Sequence, residues 1–261
     1  MIRIQRPGER LIYSDPNIRA IAPRISGVAV FVPTDIAGLE LWLDFADITT
    51  LFQDVAQTVP VTADGDLIRA VTDKSGSGND ASQAVATREP IYKTPVQNSL
   101  SICRFDGAND DLTLTGITVA SGSFTFFAAS NPTNNPGERE YFFDCATGRL
   151  LICNNASGSG NVGWYDGTWR TIAAATFTSQ ILTWVFTSGG NGEVFRNGAS
   201  LGTAAYSAKA IGGTTNLGST SGGESDSWKG DFYEFLIYSS ALSSANRALV
   251  RNYLNNKWAI Y

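Results

Sequence analysis

Short apolar runs recur along the chain from residue 39 onward, and Gly, Asn, Asp or Pro punctuates the gaps between them. Read as strands, they fall at 39–44, 67–72, 101–106, 112–115, 124–130, 140–145, 150–154, 162–166, 181–187, 192–196 and 232–238. Spacing this close predicts an all-β, two-sheet antiparallel sandwich or jelly roll rather than alternating strand–helix units. Asn197-Gly198 follows Glu193-Val194-Phe195-Arg196 and is the strongest hairpin signal, because a type I′ turn needs positive φ at both central residues. Asp106-Gly107 and Asp166-Gly167 are weaker versions of it.

The period changes once. Over residues 243–258, Ala245, Leu249, Tyr253 and Trp258, with Ala248, Val250 and Leu254 beside them, follow the 3.6-residue repeat of an amphipathic helix. Ser243 is the expected N-cap, and the helix is expected to lie across the sandwich edge and close the core. Residues 1–38 read differently. Pro7, Pro16, Pro23 and Pro33 are four of the nine prolines in the chain, and they break up short pieces such as Ala29-Val30-Phe31-Val32. Proline at this density blocks helices and central strands, so the segment is expected to be an extended arm, mobile or laid on a partner. The predicted organisation is therefore an arm over 1–38 and a sandwich over 39–261 that includes the terminal helix.

Composition narrows the chemistry. None of the 261 residues is histidine, which excludes Ser–His–Asp and Cys–His triads, His-ligated zinc, proximal-His haem and imidazole acid–base catalysis. Any hydrolysis would run on carboxylates. The net charge of −5 is uneven. The arm carries Arg3, Arg6, Arg10, Arg19 and Arg24 against Glu9, Asp15 and Asp35, a net +2, and the remainder is net −7. An acidic body argues against nucleic acid as a partner, because phosphate neutralisation needs a basic face. The arginines read either as a solvated terminus or as an assembly anchor that docks on another chain. Cys103, Cys145 and Cys153 form no CxxC pair and suit buried small hydrophobes in a reducing compartment, with a single disulfide left open. No apolar run reaches a membrane span, and the first residues lack the apolar core of a signal peptide, so neither membrane insertion nor export by that route is expected.

Five segments carry a resemblance. They are Leu41-Trp42-Leu43-Asp44-Phe45-Ala46-Asp47, Asp73-Lys74-Ser75-Gly76-Ser77-Gly78-Asn79-Asp80-Ala81, Arg104-Phe105-Asp106-Gly107-Ala108-Asn109-Asp110-Asp111-Leu112, Glu193-Val194-Phe195-Arg196-Asn197-Gly198, and Trp228-Lys229-Gly230-Asp231-Phe232-Tyr233-Glu234-Phe235-Leu236-Ile237-Tyr238. The last is followed by Ser240-Ala241-Leu242-Ser243 and the helix. In this order, over residues 39–261, the chain resembles the concanavalin A-like (laminin G-like, pentraxin-like) β-sandwich modules of phage and bacterial surface proteins. It departs from them at Asp80, where relatives often carry His, and at Asn246, where a capping-box Glu is common. The resemblance implies a fold; lectins, glycosidases and assembly modules all use it.

A sandwich glucanase sets its carboxylates on one strand face as Glu-x-Asp-x-(x)-Glu, and no strand here has that pattern. Glu138 and Glu140 follow a turn, Glu224 and Asp226 lie in a loop-like stretch, and Asp231 and Glu234, three apart, are expected on opposite faces. Calcium is the one cofactor the residues suggest. Asp73, Asn79, Asp80, Asp106, Asn109, Asp110 and Asp111 supply its oxygen chemistry in two loops, and the same residues also read as turn-formers. Trp42, Trp184 and Trp258 are assigned to the core. For a sugar, which stacks on aromatic rings and donates hydroxyls, the candidates are Trp164, Trp169, Asp166 and Arg170 in the turn 163–170; cross-strand packing is the alternative for the aromatics.

The functional expectation is a non-enzymatic virion surface protein, made in the host cytoplasm, tail- or capsid-associated, and anchored by its arm to other virion proteins. Its sandwich would decorate the particle or adhere to a host glycan. Proteins of this kind assemble symmetrically, so a homo-oligomer such as a cyclic trimer is expected. The alternatives are a cellular carbohydrate-binding or adhesion module and, last, a glycan hydrolase or depolymerase.

Overall fold

A computed structural model describes residues 30–114, 116–120, 122–133, 139–145, 149–155, 160–220 and 226–261. Met1–Val30 and Phe31–Tyr261 are separate compact units, and of the first only Val30 is described. The arm residues Arg3, Arg6, Arg10, Arg19 and Arg24 lie outside the described residues.

Among the described residues the strands run in chain order as β1 (Leu39–Asp44), β2 (Leu51–Phe52), β3 (Ala70–Val71), β4 (Ala81–Ser82), β5 (Ile91–Gln97), β6 (Leu100–Asp106), β7 (Leu112–Leu114), β8 (Phe124–Pro132) and β9 (Glu140–Cys145). They continue as β10 (Leu150–Asn155), β11 (Asn161–Tyr165), β12 (Trp169–Ala174), β13 (Gln180–Phe186), β14 (Asn191–Arg196), β15 (Ala199–Ala205), β16 (Thr215–Leu217) and β17 (Lys229–Tyr238), before the helix α1 (Ser244–Trp258). One sheet has the order β15-β14-β13-β8-β17-β6-β5, with β1 also paired to β17; the other has the order β12-β11-β10-β9-β16-β7-β4-β3-β2. All pairings are antiparallel, so the chain is the expected β-sandwich.

Side-chain alternation builds the core. Leu41, Phe124, Phe126, Trp184 and Phe235 of the first sheet meet Leu112, Phe143, Ile152, Trp164 and Leu217 of the second in one buried cluster. The first sheet is also buried on its other face. Trp42, Ile102, Phe127, Ile181, Tyr233, Leu236 and Tyr238 point outward and are covered by Val250, Leu254 and Trp258 of α1. Burial on both faces explains why β8 and β17 read as nearly continuous apolar runs without alternation.

The helix begins where expected: the Ser243 side chain accepts a hydrogen bond from the Asn246 amide, 3.2 Å away. Its position and face differ from expectation. It lies on the outer face of the first sheet rather than across the sandwich edge, and the buried stripe is Val250-Leu254-Trp258, while Leu249 is 44% exposed. The sheet beneath selects the face, and the Tyr233 and Trp258 rings stack at 5.0 Å. Residues 31–38 also belong to this unit: Phe31 and Ile36 join the cluster under the helix, and the Tyr238 hydroxyl donates to the Pro33 carbonyl at 3.0 Å.

Asn197 and Gly198 both have positive φ (52° and 86°) and turn β14 into β15, as the hairpin signal predicts. The strand expected at 67–72 shortens to β3. The strands with no counterpart in the expected set are β2, β4, β5, β12, β15 and β16.

Candidate functional site

Because α1 covers the first sheet, the outer face of the second sheet is where sequence-predicted site residues meet solvent. Alternation along its strands places Val162 and Trp164 in the core, and Tyr165 outside. The cross-strand pairs Leu151↔Tyr165 and Tyr165↔Trp169 then align three side chains from β10, β11 and β12 in one row. Tyr141 of β9 completes the cluster, its ring parallel to Trp169 at 6.3 Å, and the Tyr165 ring is 5.2 Å from Trp169.

These rings form the wall of an open cleft of about 330 Å³ that is also lined by Arg139, Arg149 and Asp226. The Arg139 guanidinium lies 5.6 Å from the Trp169 ring centre and 3.5 Å from the Asp226 carboxylate. Arg149 is exposed at the turn into β10, with φ of 49°. Burial pushes the Tyr141 phenol well above its ordinary value, so it remains a neutral hydrogen-bonding group. Aromatic rings beside charged and hydroxyl groups can stack on the apolar face of a sugar ring and hydrogen-bond its hydroxyls.

Of the four sequence-predicted sugar residues, only Trp169 lines this cleft. Residues 161–165 form β11, in line with the strand expected at 162–166, so neighbouring side chains point to opposite faces. Trp164 is fully buried, and Gly192 makes room for it: a Cβ there would stand 2.6 Å from the indole. Asp166 is also buried; it accepts from the Trp164 indole N–H (3.2 Å) and the Ser207 amide (2.8 Å). Arg170 sits 3.5 Å from Asp166 in an ion pair at the sheet edge. Trp164 and Asp166 are thus sealed from solvent, and Arg170, partly exposed, does not line this cleft. Arg139, Tyr141, Arg149 and Asp226 were missed because they are distant in sequence from Trp169. No sequence signal places Tyr141 outward: alternation groups it with Phe143 and Cys145 of the core, and a bulge between Tyr141 and Phe143 turns it to the other face.

The oxygen-rich loops are largely satisfied internally, apart from Asp111 Oδ2, which is buried without a hydrogen-bond partner among the described residues. Asp73 accepts from the amides of Trp42, Ser75 and Asn79 and from the Ser75 hydroxyl. Asn79 donates to the Glu40 carbonyl, and Asp80 accepts from the Asp73 amide and the Gln57 side chain. Asp106 accepts from the amides of Ala108 and Asn109, and Asp110 accepts from the Asp106 amide. Asp111 pairs with Arg88 at 2.6 Å. The residues thus act as turn-formers, and among the described residues no three His, Cys, Asp or Glu side chains gather to hold a metal ion.

The carboxylate pairs are placed as follows. Glu138 and Glu224 lie outside the described residues, and Glu140 is fully buried, accepting from Asn154 at 3.2 Å. Asp231 and Glu234 share the outer face of β17, contrary to the three-residue count, because a bulge falls between Phe232 and Glu234. Neither is free for chemistry. Asp231 is held by Arg104 at 2.7 and 2.9 Å. Glu234, fully buried under the helix, accepts from Trp42 Nε1 (2.6 Å), Tyr253 Oη (2.9 Å), Lys257 Nζ (2.9 Å) and Trp258 Nε1 (2.9 Å).

Comparison with known proteins agrees with the architecture. The family model of the concanavalin A-like lectin/glucanases superfamily matches residues 106–246. No curated protein matches the chain. Among solved structures, the binding domain of Paraclostridial Mosquitocidal Protein 1 is similar at 13% identity and a TM-score of 0.53, covering 86% of this chain and 53% of its own. Trypanosoma rangeli sialidase is similar at 14% identity and a TM-score of 0.53, covering 88% of this chain and 34% of its own. The chain therefore spans about half of the first and about a third of the second, and at these identities the likeness concerns the fold.

Proposed function

We propose that this chain, which belongs to the concanavalin A-like lectin/glucanase superfamily, is a non-enzymatic carbohydrate-binding module that uses the Trp169 cleft. The observation that carries the reading is the placement of the partly exposed Tyr165 and Trp169, backed by the buried Tyr141, on the outer face of the second sheet beside Arg139, Arg149 and Asp226. The two partly exposed rings, Tyr165 and Trp169, sit on paired strands and are a pre-organised platform, so little ordering entropy opposes stacking. The absence of histidine and the engagement of Asp231 and Glu234 by Arg104 and by the helix support binding rather than hydrolysis.

Trp169→Ala is expected to abolish most glycan-array binding, with a melting temperature within a few degrees of the parent. Retained binding would refute the cleft assignment. Release of reducing ends from host polysaccharide by the purified protein would refute the non-enzymatic reading.

The finer placement is on a virion surface, with the 1–38 segment as anchor to other virion proteins and a homo-oligomeric sandwich presented outward. It rests on the proline spacing and the five arginines of that segment. Deleting residues 1–30 is expected to leave a folded domain that no longer joins its assembly; incorporation of the truncated chain would count against the anchor.

A further inference from the structure

The charge in the Trp169 cleft has a sign opposite to that of the molecule. The chain is net −5, yet the cleft is lined by two arginines and one aspartate. Among the described residues only Arg139 of the two has an ion-pair partner. Arg139 is engaged by Asp226, 3.5 Å from its guanidinium, and by the Tyr141 hydroxyl. Arg149 is exposed, and among the described residues it makes no ion pair. A neutral sugar would need hydrogen bonds from this wall but no surplus positive charge.

From this we infer that the cleft takes an acidic glycan: the sugar ring lies on the Trp169–Tyr165 wall, and its anionic group is received by Arg149, with Arg139 alongside. The inference rests on the carbohydrate-binding reading of the same cleft and names its ligand class. An arginine fork matches the paired oxygens of a carboxylate or a sulfate, and charge-assisted hydrogen bonds of this kind are about twice as strong as neutral ones. Asp226 contributes selectivity. It holds Arg139 over the Trp169 ring and repels an anion placed on its own side, so the anionic group is directed towards Arg149. Carboxylate and sulfate present the same chemistry here, and the probes must separate them.

The test uses the full chain and glycans in matched charged and neutral form: oligogalacturonate and its methyl ester, sialyllactose and lactose, and 3′-sulfolactose and lactose. At least one charged member is expected to bind roughly tenfold tighter than its neutral partner, since one charge-assisted hydrogen bond supplies that difference. The preference is expected to shrink as salt is raised, because the arginines are exposed. Preference for the uronate or sialyl pair assigns the carboxylate, and preference for the sulfated pair assigns the sulfate. R149Q is expected to bring the charged-to-neutral ratio close to one, and R149K to restore part of the preference. W169A should weaken both members equally. Equal binding of charged and neutral members, or a ratio that R149Q does not move, overturns the acidic-glycan inference and leaves the cleft reading standing. Binding of no member, or binding indifferent to W169A, overturns both.

Discussion

Trp164 and Tyr165 are chain neighbours with opposite surroundings: one indole is sealed in the core against Gly192, and the next ring lines an open cleft. Strand geometry alone separates them, since successive side chains point to opposite faces. Composition near residues 163–170 was enough to suggest an aromatic binding surface. Which ring faced the solvent depended on recognising 161–165 as strand, and that in turn depended on its partners β10 and β12. Burial acts on single titratable groups as well. Asp110 is 5% exposed, and desolvation lifts its carboxyl from 3.8 to about 7, with Asp106, Asp111 and Glu89 adding repulsion against the Asp106 amide hydrogen bond. Between about pH 4 and 7 the folded chain holds a proton here that the unfolded chain has lost. Stability contributed by this group is therefore present below pH 4 and lost as pH rises towards 7. Asp110→Asn keeps an acceptor for the amide and removes the titration. We expect it to gain on the order of 1–3 kcal/mol above pH 7 and little at pH 4, read from urea unfolding at both pH values. An equal effect at both would show that the site does not titrate.

Elements differ in how clearly their sequences announce them. Long central strands such as β8, β9, β13 and β17 are apolar throughout, and their ranges are close to those expected. The longer strands with no predicted counterpart, β5, β12 and β15, lie at sheet edges. An edge strand pairs on one side and buries less, so its sequence can remain small, polar or interrupted by proline, as Pro95 interrupts β5. The helix shows the converse. Its existence and cap were legible, yet its seven apolar positions are compatible with more than one stripe, and the sheet selected the one containing Val250, Leu254 and Trp258. Leu254→Ala is expected to cost about 2–5 kcal/mol, and Leu249→Ala, on the exposed side, within about 0.5 kcal/mol. Comparable losses in chemical denaturation would show that the assigned face is wrong.

At the scale of the whole molecule, α1 and the first sheet are joined by charges as well as by apolar packing. Lys257 bridges Glu234 and Asp44, Lys74 reaches Asp44 at 2.8 Å, and Glu234 receives four donors, one from β1 and three from α1. Glutamine at 234 would offer one acceptor where four donors converge. Glu234→Gln is therefore expected to lose about 3–5 kcal/mol and to loosen the helix, seen as faster amide exchange across 244–258. Unchanged protection there would show that apolar contacts suffice. This cover is also why the binding face is found on the other sheet. By itself the sequence determined the architecture: alternation, turn residues and a single 3.6-residue period leave few alternatives to a sandwich with a terminal helix. It also determined the excluded chemistries, since a chain without histidine has no imidazole in any conformation. Only the tertiary structure decided which sheet stays open, which face of the helix is buried, and that Arg139, Tyr141, Arg149 and Asp226 meet Trp169. Local pattern records how a side chain points from its own strand; which distant strand lies beside it is set by pairing register and by the burial that the whole core imposes.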